Sequence, residues 1–126
     1  MIVFVLGAIH LIYTFASTKF SPRDAALEAR LKEVSPVISK ETTMWKAWIG
    51  FNASHSLGAM LFGLIYGYLS VFQFAFLVQT RFLLILGGLF LACFLVLAKR
   101  YWFRIPLLGI GLSLALYIAG FAAALA

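Results

Sequence analysis

The sequence predicts an all-α integral membrane protein: a bundle of four transmembrane helices, with a short amphipathic helix in the first cytoplasmic loop. Two observations predict it. Of 126 residues, 64% are hydrophobic and 11% charged. Ordinary soluble domains are about 45–50% apolar and about 25% charged, so this chain has too little polar surface to cover a globule in water. The apolar residues also gather into four runs, Ile2 to Ala16, about Trp45 to Phe72, about Phe82 to Ala98 and about Ile105 to Ala126, with most charges between them. The helices are expected at about 2–18, 45–72, 82–98 and 105–126, in a single transmembrane domain covering 1–126.

A spanning helix needs roughly 20 apolar residues, with about 17 at the low end. The second and fourth runs pass easily, and the third is just long enough. The first reaches span length only if Ser17 and Thr18 join it. It does not read as a cleaved signal peptide: no charge precedes Lys19, and Thr14-Phe15-Ala16 is a poor small-x-small cleavage site. A retained helix is expected.

The segment from Ser17 to Met44 differs in kind. It holds all four acidic residues, Asp24, Glu28, Glu33 and Glu41, and five of the ten bases. Ser21-Pro22-Arg23-Asp24 predicts a helix start, with Ser21 as N-cap and Pro22 in the first turn. Leu27, Leu31 and Val34 then recur at i, i+4, i+7, giving a helix over about 22–34 one apolar face. Ser35-Pro36 ends it, because a residue before proline avoids the helical region. That face can rest on the membrane or the bundle, or dock a soluble partner.

Thr42-Thr43 supplies the next N-cap, and Trp45 and Trp48 follow where a headgroup-level aromatic belt belongs. Gln73 to Arg81 reads as a short apolar link. Lys99 to Arg104 reads as a basic, aromatic interface anchor, and Pro106 as a first-turn proline.

With four spans, the first and third loops share a side. That side carries Lys19, Arg23, Arg30, Lys32, Lys40, Lys46, Lys99, Arg100 and Arg104; the other carries only Arg81. The imbalance predicts cytoplasmic loops 1 and 3, and both termini outside. The net charge of +6 is thus a topology signal and does not point to nucleic acid.

GFNASHSLGAM, residues 50–60, interrupts the second run with Asn52, Ser54, His55 and Ser56. On a helical wheel Asn52, His55, Ser56, Ala59, Gly63, Tyr66, Gly67 and Ser70 fall within about 120° of one another. Trp45 and Trp48 join that stripe, and Leu57, Leu61, Leu64, Ile65 and Leu69 lie opposite. Ser54 lies off the stripe and is expected to bond back to the carbonyl four residues earlier. Related stripes run along the first run (Gly7, His10, Thr14, Ser17), the third (Gly88, Ala92) and the fourth (Gly109, Ser113, Gly120, Ala124). Small residues let membrane helices approach closely, so Gly63, Gly67, Gly109 and Gly120 are candidate packing positions.

His10 and His55 each lie about seven residues, roughly 10 Å, from the same interface. Consecutive helices are usually neighbours. A polar layer of His10, Thr14, Asn52, His55 and Ser56 is therefore expected. Three readings of it stay open. It is a hydrogen-bonded packing layer, the reading that takes precedence; or a pocket for a quinone, lipid or other amphiphile; or a site where His10 and His55 ligate a non-covalent haem. No metal site and no cofactor are otherwise expected. The lone Cys93 cannot form an internal disulfide, and it points away from the third run's small face.

No carboxylate falls within an apolar run, which argues against a proton-coupled carrier. His55 has serines beside it in sequence, but adjacent helical residues do not face each other, and no acid orients it. No glycine-rich phosphate loop occurs.

His10-x-x-Tyr13-Thr14-Phe15, Lys19-Phe20-x-Pro22-Arg23-Asp24 and TTMWKAWIGFNASHSLG at 42–58 together resemble a family of small bacterial inner-membrane proteins, over the N-terminal half of the chain. The four-span layout is similar to that of DoxX-like proteins in architecture alone. The resemblance implies a bacterial inner membrane and a focus on the first two helices and their loop. It implies no reaction and no catalytic residue. The expected role is non-enzymatic: an accessory, scaffold or assembly partner of a membrane complex, in the lipid bilayer, with a membrane protein partner or as a homo-oligomer; the alternative is an intramembrane haem-, quinone- or lipid-binding protein or enzyme using the His10/His55 layer.

Overall fold

The computed structural model describes residues 1–125 and is all helical there. Its elements are α1 (Ile2–Ala16), α2 (Ala25–Glu33), α3 (Met44–Phe72), α4 (Phe74–Gln79), α5 (Arg81–Tyr101) and α6 (Arg104–Leu125). The expected end at Ala126 lies outside the described residues. Three helices, α3, α5 and α6, are long and apolar enough to cross a membrane. α1 is not: its 15 residues make about 22 Å of helix at 1.5 Å each. Ser17 and Thr18 do not extend it. The Ser17 hydroxyl donates to the Tyr13 carbonyl (2.9 Å) and accepts from the Lys19 amide (3.2 Å), closing the helix end.

The chain forms two compact units, Gly7–Ala59, and Met1–Leu6 with Met60–Ala126; α1 and α3 contribute to both. In the first unit α2 starts later than expected. Ser21 lies three residues before the cap position, in a turn where its amide donates to the Thr18 carbonyl. Asp24 is the N-cap, its carboxylate accepting from Ala26 N (2.9 Å) and Leu27 N (3.4 Å). A carboxylate at this position also meets the positive end of the helix dipole. The helix fully buries no residue: Leu27 stays half exposed, and Leu31 is only partly covered. α3 begins as expected after Thr43, whose hydroxyl accepts from Lys46 N (3.3 Å).

In the second unit the link from Gln73 to Arg81 is not a loop. Gln73 and Thr80 leave helical backbone angles, and the six residues between them form α4. Its Leu77 is completely buried, a local anchor that holds the segment against α5. The next link is also shorter than expected: Lys99 to Tyr101 finish α5 and Arg104 starts α6. Only Trp102 and Phe103 turn the chain, with Trp102 extended and its amide on the Ala98 carbonyl. Pro106 sits third in α6, in the first turn, where no intrahelical donor is needed.

α6 packs along α5. Leu91, Ala98 and Ile110 are buried, and the rings of Phe62, Phe90 and Phe94 stack at 4.4 Å spacings. Gly63 allows the closest approach of two backbones: a Cβ there would lie 2.6 Å from Phe4 Cβ and 2.9 Å from its backbone nitrogen. Gly109 faces Leu6, and Gly67 faces Met1. Gly120 does not pack at all, having open space where its Cβ would be. On α5 the tight glycine is Gly87, one position from the expected Gly88.

Gly87 explains two further contacts. A Cβ there would collide with the Tyr117 hydroxyl and with the Tyr66 ring, so its absence lets both tyrosines reach the backbone of the preceding turn. The carbonyls of Leu83 and Leu84 each accept a tyrosine hydroxyl: Tyr66 on Leu83 (2.7 Å) and Tyr117 on Leu84 (2.8 Å). Tyrosine hydroxyls inside an apolar helix pair need such partners.

Candidate functional site

The polar cluster lies within the unit formed by residues 7–59. It starts from side chains that one-turn spacing places on one stripe of α3 and one of α1. Asn52 and Ser56 are buried on α3, and Thr14 is buried on α1. His10 and His55 are half-buried. Asn52 bonds at both ends of its amide. Nδ2 donates to the Trp48 carbonyl (2.8 Å), and Oδ1 lies 2.9 Å from His10 Nε2. A carbonyl can only accept, which fixes the orientation of the amide. Oδ1 is then the acceptor, so His10 Nε2 carries a proton, which in the neutral ring leaves the lone pair on Nδ1.

The His55 ring meets the His10 ring edge to face, with centroids 5.2 Å apart. The cluster thus unites both histidines with Asn52. The two hydroxyls bond elsewhere: Thr14 to the His10 carbonyl (2.9 Å) and Ser56 to the Asn52 carbonyl (2.8 Å). Each satisfies its own donor on the preceding turn. Ser54 does likewise but on Phe51, three residues back and not four. Its position at the exposed edge leaves the shorter reach open.

One contributor was not singled out from the sequence. Phe20 packs its ring on His10 at 4.4 Å, and its carbonyl accepts from Trp48 Nε1 (3.1 Å). The contacts therefore close a circuit, His10 to Asn52 to Trp48 to Phe20 and back. It ties the segment after α1 to the first turns of α3. Phe20 lies outside every helix, so helical periodicity could not place it. Nearby, Lys32 Nζ sits 5.3 Å from the Trp45 ring centroid, a cation–π contact.

Among the described residues, every buried side-chain nitrogen or oxygen has a partner, and no three His, Cys, Asp or Glu side chains gather as a metal would require. Cys93 is exposed on α5. A ligand reaching His10 must use Nδ1 or displace Asn52. A macrocycle between the two imidazoles would have to separate rings already in contact. The second unit has its own feature, an open cleft of about 470 Å³ lined by Met1, Phe62, Tyr66, Leu91, Ser113 and Tyr117, among others. None of its lining residues belongs to the histidine cluster.

These features define the class: a helical protein with three helices able to cross a membrane and a polar cluster shared by two apolar helices. Comparison with protein-family models, with curated proteins and with solved structures finds no match.

Proposed function

We propose that this is a small multi-pass membrane protein whose role is non-enzymatic, as an accessory, scaffold or assembly partner of a membrane complex. One observation carries the reading. The polar groups of the cluster are satisfied by one another and by the chain's own carbonyls, and among the described residues no buried side-chain nitrogen or oxygen lacks a partner. The histidine cluster is then a clamp that fixes α1 on α3. The setting that best suits the charge pattern and the half-chain resemblance is a bacterial inner membrane. There α1, α3, α5 and α6 cross, the basic segments 17–46 and 99–104 are cytoplasmic, and both termini are outside.

Native mass spectrometry of the protein, extracted gently from its own membrane, tests this. The expected spectrum holds a partner subunit or a second copy and no small ligand, and His10→Ala and His55→Ala keep that assembly. Extra small-molecule mass that vanishes in His55→Ala would overturn the reading and make the cluster a binding site. A bare monomer would overturn the assembly role.

A further inference from the structure

The loop between α2 and α3 breaks a rule of turn chemistry. Ser39 donates its amide to the Pro36 carbonyl (3.3 Å), closing a turn with Val37 and Ile38 at its two central positions. Turns favour Gly, Asn, Asp, Ser and Pro there, because those residues bend or hydrogen-bond locally. Two β-branched aliphatics do neither. They are also the most exposed large apolar residues in the described chain, at 109% and 93% of full exposure. They stand in the one segment rich in charge, where polar residues would cost nothing.

The tip is held in place. Met44 donates its amide to the Val34 carbonyl (2.8 Å), which pins the base of the loop to the first residue of α3. The Glu41 amide donates to the Ser39 hydroxyl (3.1 Å) and stiffens the return strand of the loop. α3 is a helix able to cross a membrane, and its first turns carry Trp45 and Trp48, residues that settle at the headgroup level. Val37 is three residues from Val34, a reach of about 10 Å when extended. The headgroup region is itself roughly 5–8 Å thick on each side. The tip can therefore reach the boundary between headgroups and acyl chains from where its base is fixed.

We propose that the Pro36–Ser39 turn is a membrane-inserting tip, with Val37 and Ile38 seated at the headgroup–acyl boundary of the bilayer that the chain crosses. The occupant is phospholipid, and the driving force is removal of two exposed aliphatic side chains from water. Insertion would hold α2 and its charged face at the membrane surface. The inference rests on the chain lying in a bilayer and is independent of any partner.

The test is fluorescence depth measurement. Single cysteines are introduced as Ile38→Cys, Ala29→Cys and Leu61→Cys in a Cys93→Ser background. Each is labelled with an environment-sensitive dye and reconstituted in nanodiscs of phosphatidylcholine and phosphatidylglycerol. Neither Val37 nor Ile38 is packed on the chain, so labelling there leaves the fold intact. The dye at 38 should emit to the blue of the dye at 29. It should be quenched several-fold more by a shallow lipid nitroxide than by aqueous iodide, with the reverse at 29. A dye at 38 that iodide quenches as it does at 29, while 61 is quenched by lipid nitroxide, would overturn the tip proposal alone. If 61 were also aqueous, the membrane reading itself would fall. A dye at 38 that is aqueous in nanodiscs but shielded in native membrane vesicles would overturn phospholipid as occupant in favour of a protein.

Discussion

Asn52 donates to the Trp48 carbonyl and accepts from His10 Nε2, so one amide sets both the rotamer of a neighbouring helix's histidine and its tautomer. Removing it strands a half-buried imidazole N–H, and removing His10 strands the amide oxygen. The two losses are the same loss. Asn52→Ala and His10→Ala should each destabilise, and the double variant should cost less than their sum. The coupling should be about 0.6 kcal/mol, up to about 1.7, read from unfolding in detergent; strict additivity would mean the pair does not interact. Gly63 makes a different kind of prediction. Its virtual Cβ meets Phe4 backbone, which cannot swing aside. Gly63→Ala should cost about 1–3 kcal/mol by overpacking. Gly58→Ala, which meets nothing within 4 Å, should be neutral or slightly stabilising through helix propensity. Thermal melts of the two variants side by side would show whether small residues matter by contact or merely by size.

At the scale of single elements, α2 has no fully buried residue and leans on its own short-range chemistry. Asp24 caps it, and Lys32 donates to Glu28 at 2.6 Å. That hydrogen bond, the Lys32 charge and a bond from Ser21 hold the Glu28 carboxyl below its ordinary value, against a smaller opposing effect of partial burial. A lowered carboxylate stabilises the folded helix fully above the ordinary glutamate pKa and loses that contribution as pH falls through the lowered value. NMR titration of the Glu28 carboxyl carbon should give a midpoint below that of an unfolded glutamate, and Lys32→Gln should move it up; an unmoved midpoint would mean that Lys32 is not the cause. The elements also show what could be read without coordinates. Three long helices and the polar stripe on α3 were legible because apolar composition and 3.6-residue spacing are properties of the chain itself. α4 was not, because six residues are too few for a period, and Leu77 is anchored by packing that the sequence pattern does not show. The wheel points to Gly88 where Gly87 is the tight position, because what separates the two glycines is the approach of Tyr66 and Tyr117 from other helices. Phe20 was missed because it acts from a loop.

For the molecule as a whole, the number of crossings turns on α1. Six bases lie in residues 19–46 and three in 99–104, against Arg81 alone between α3 and α5, so α3, α5 and α6 should place segments 17–43 and 102–103 in the cytoplasm. α1, at 15 residues, falls short of the roughly 30 Å hydrocarbon core. Two outcomes are physically distinct. A helix that crosses must thin the bilayer or let its ends snorkel, at a modest cost per ångström. A helix that does not cross leaves both of its ends on the cytoplasmic side. Packing favours crossing: the start of α1 meets the second half of α3, Phe4 against Gly63 and Met1 against Gly67. A short helix docked along a long one shares its depth. Residue 1 should therefore be labelled from outside intact cells by a membrane-impermeant reagent on Met1→Cys, in a Cys93→Ser background. Lys40→Cys should react only after the cells are opened. Labelling of both positions only in opened cells would reduce the protein to three crossings and move its N-terminal end into the cytoplasm.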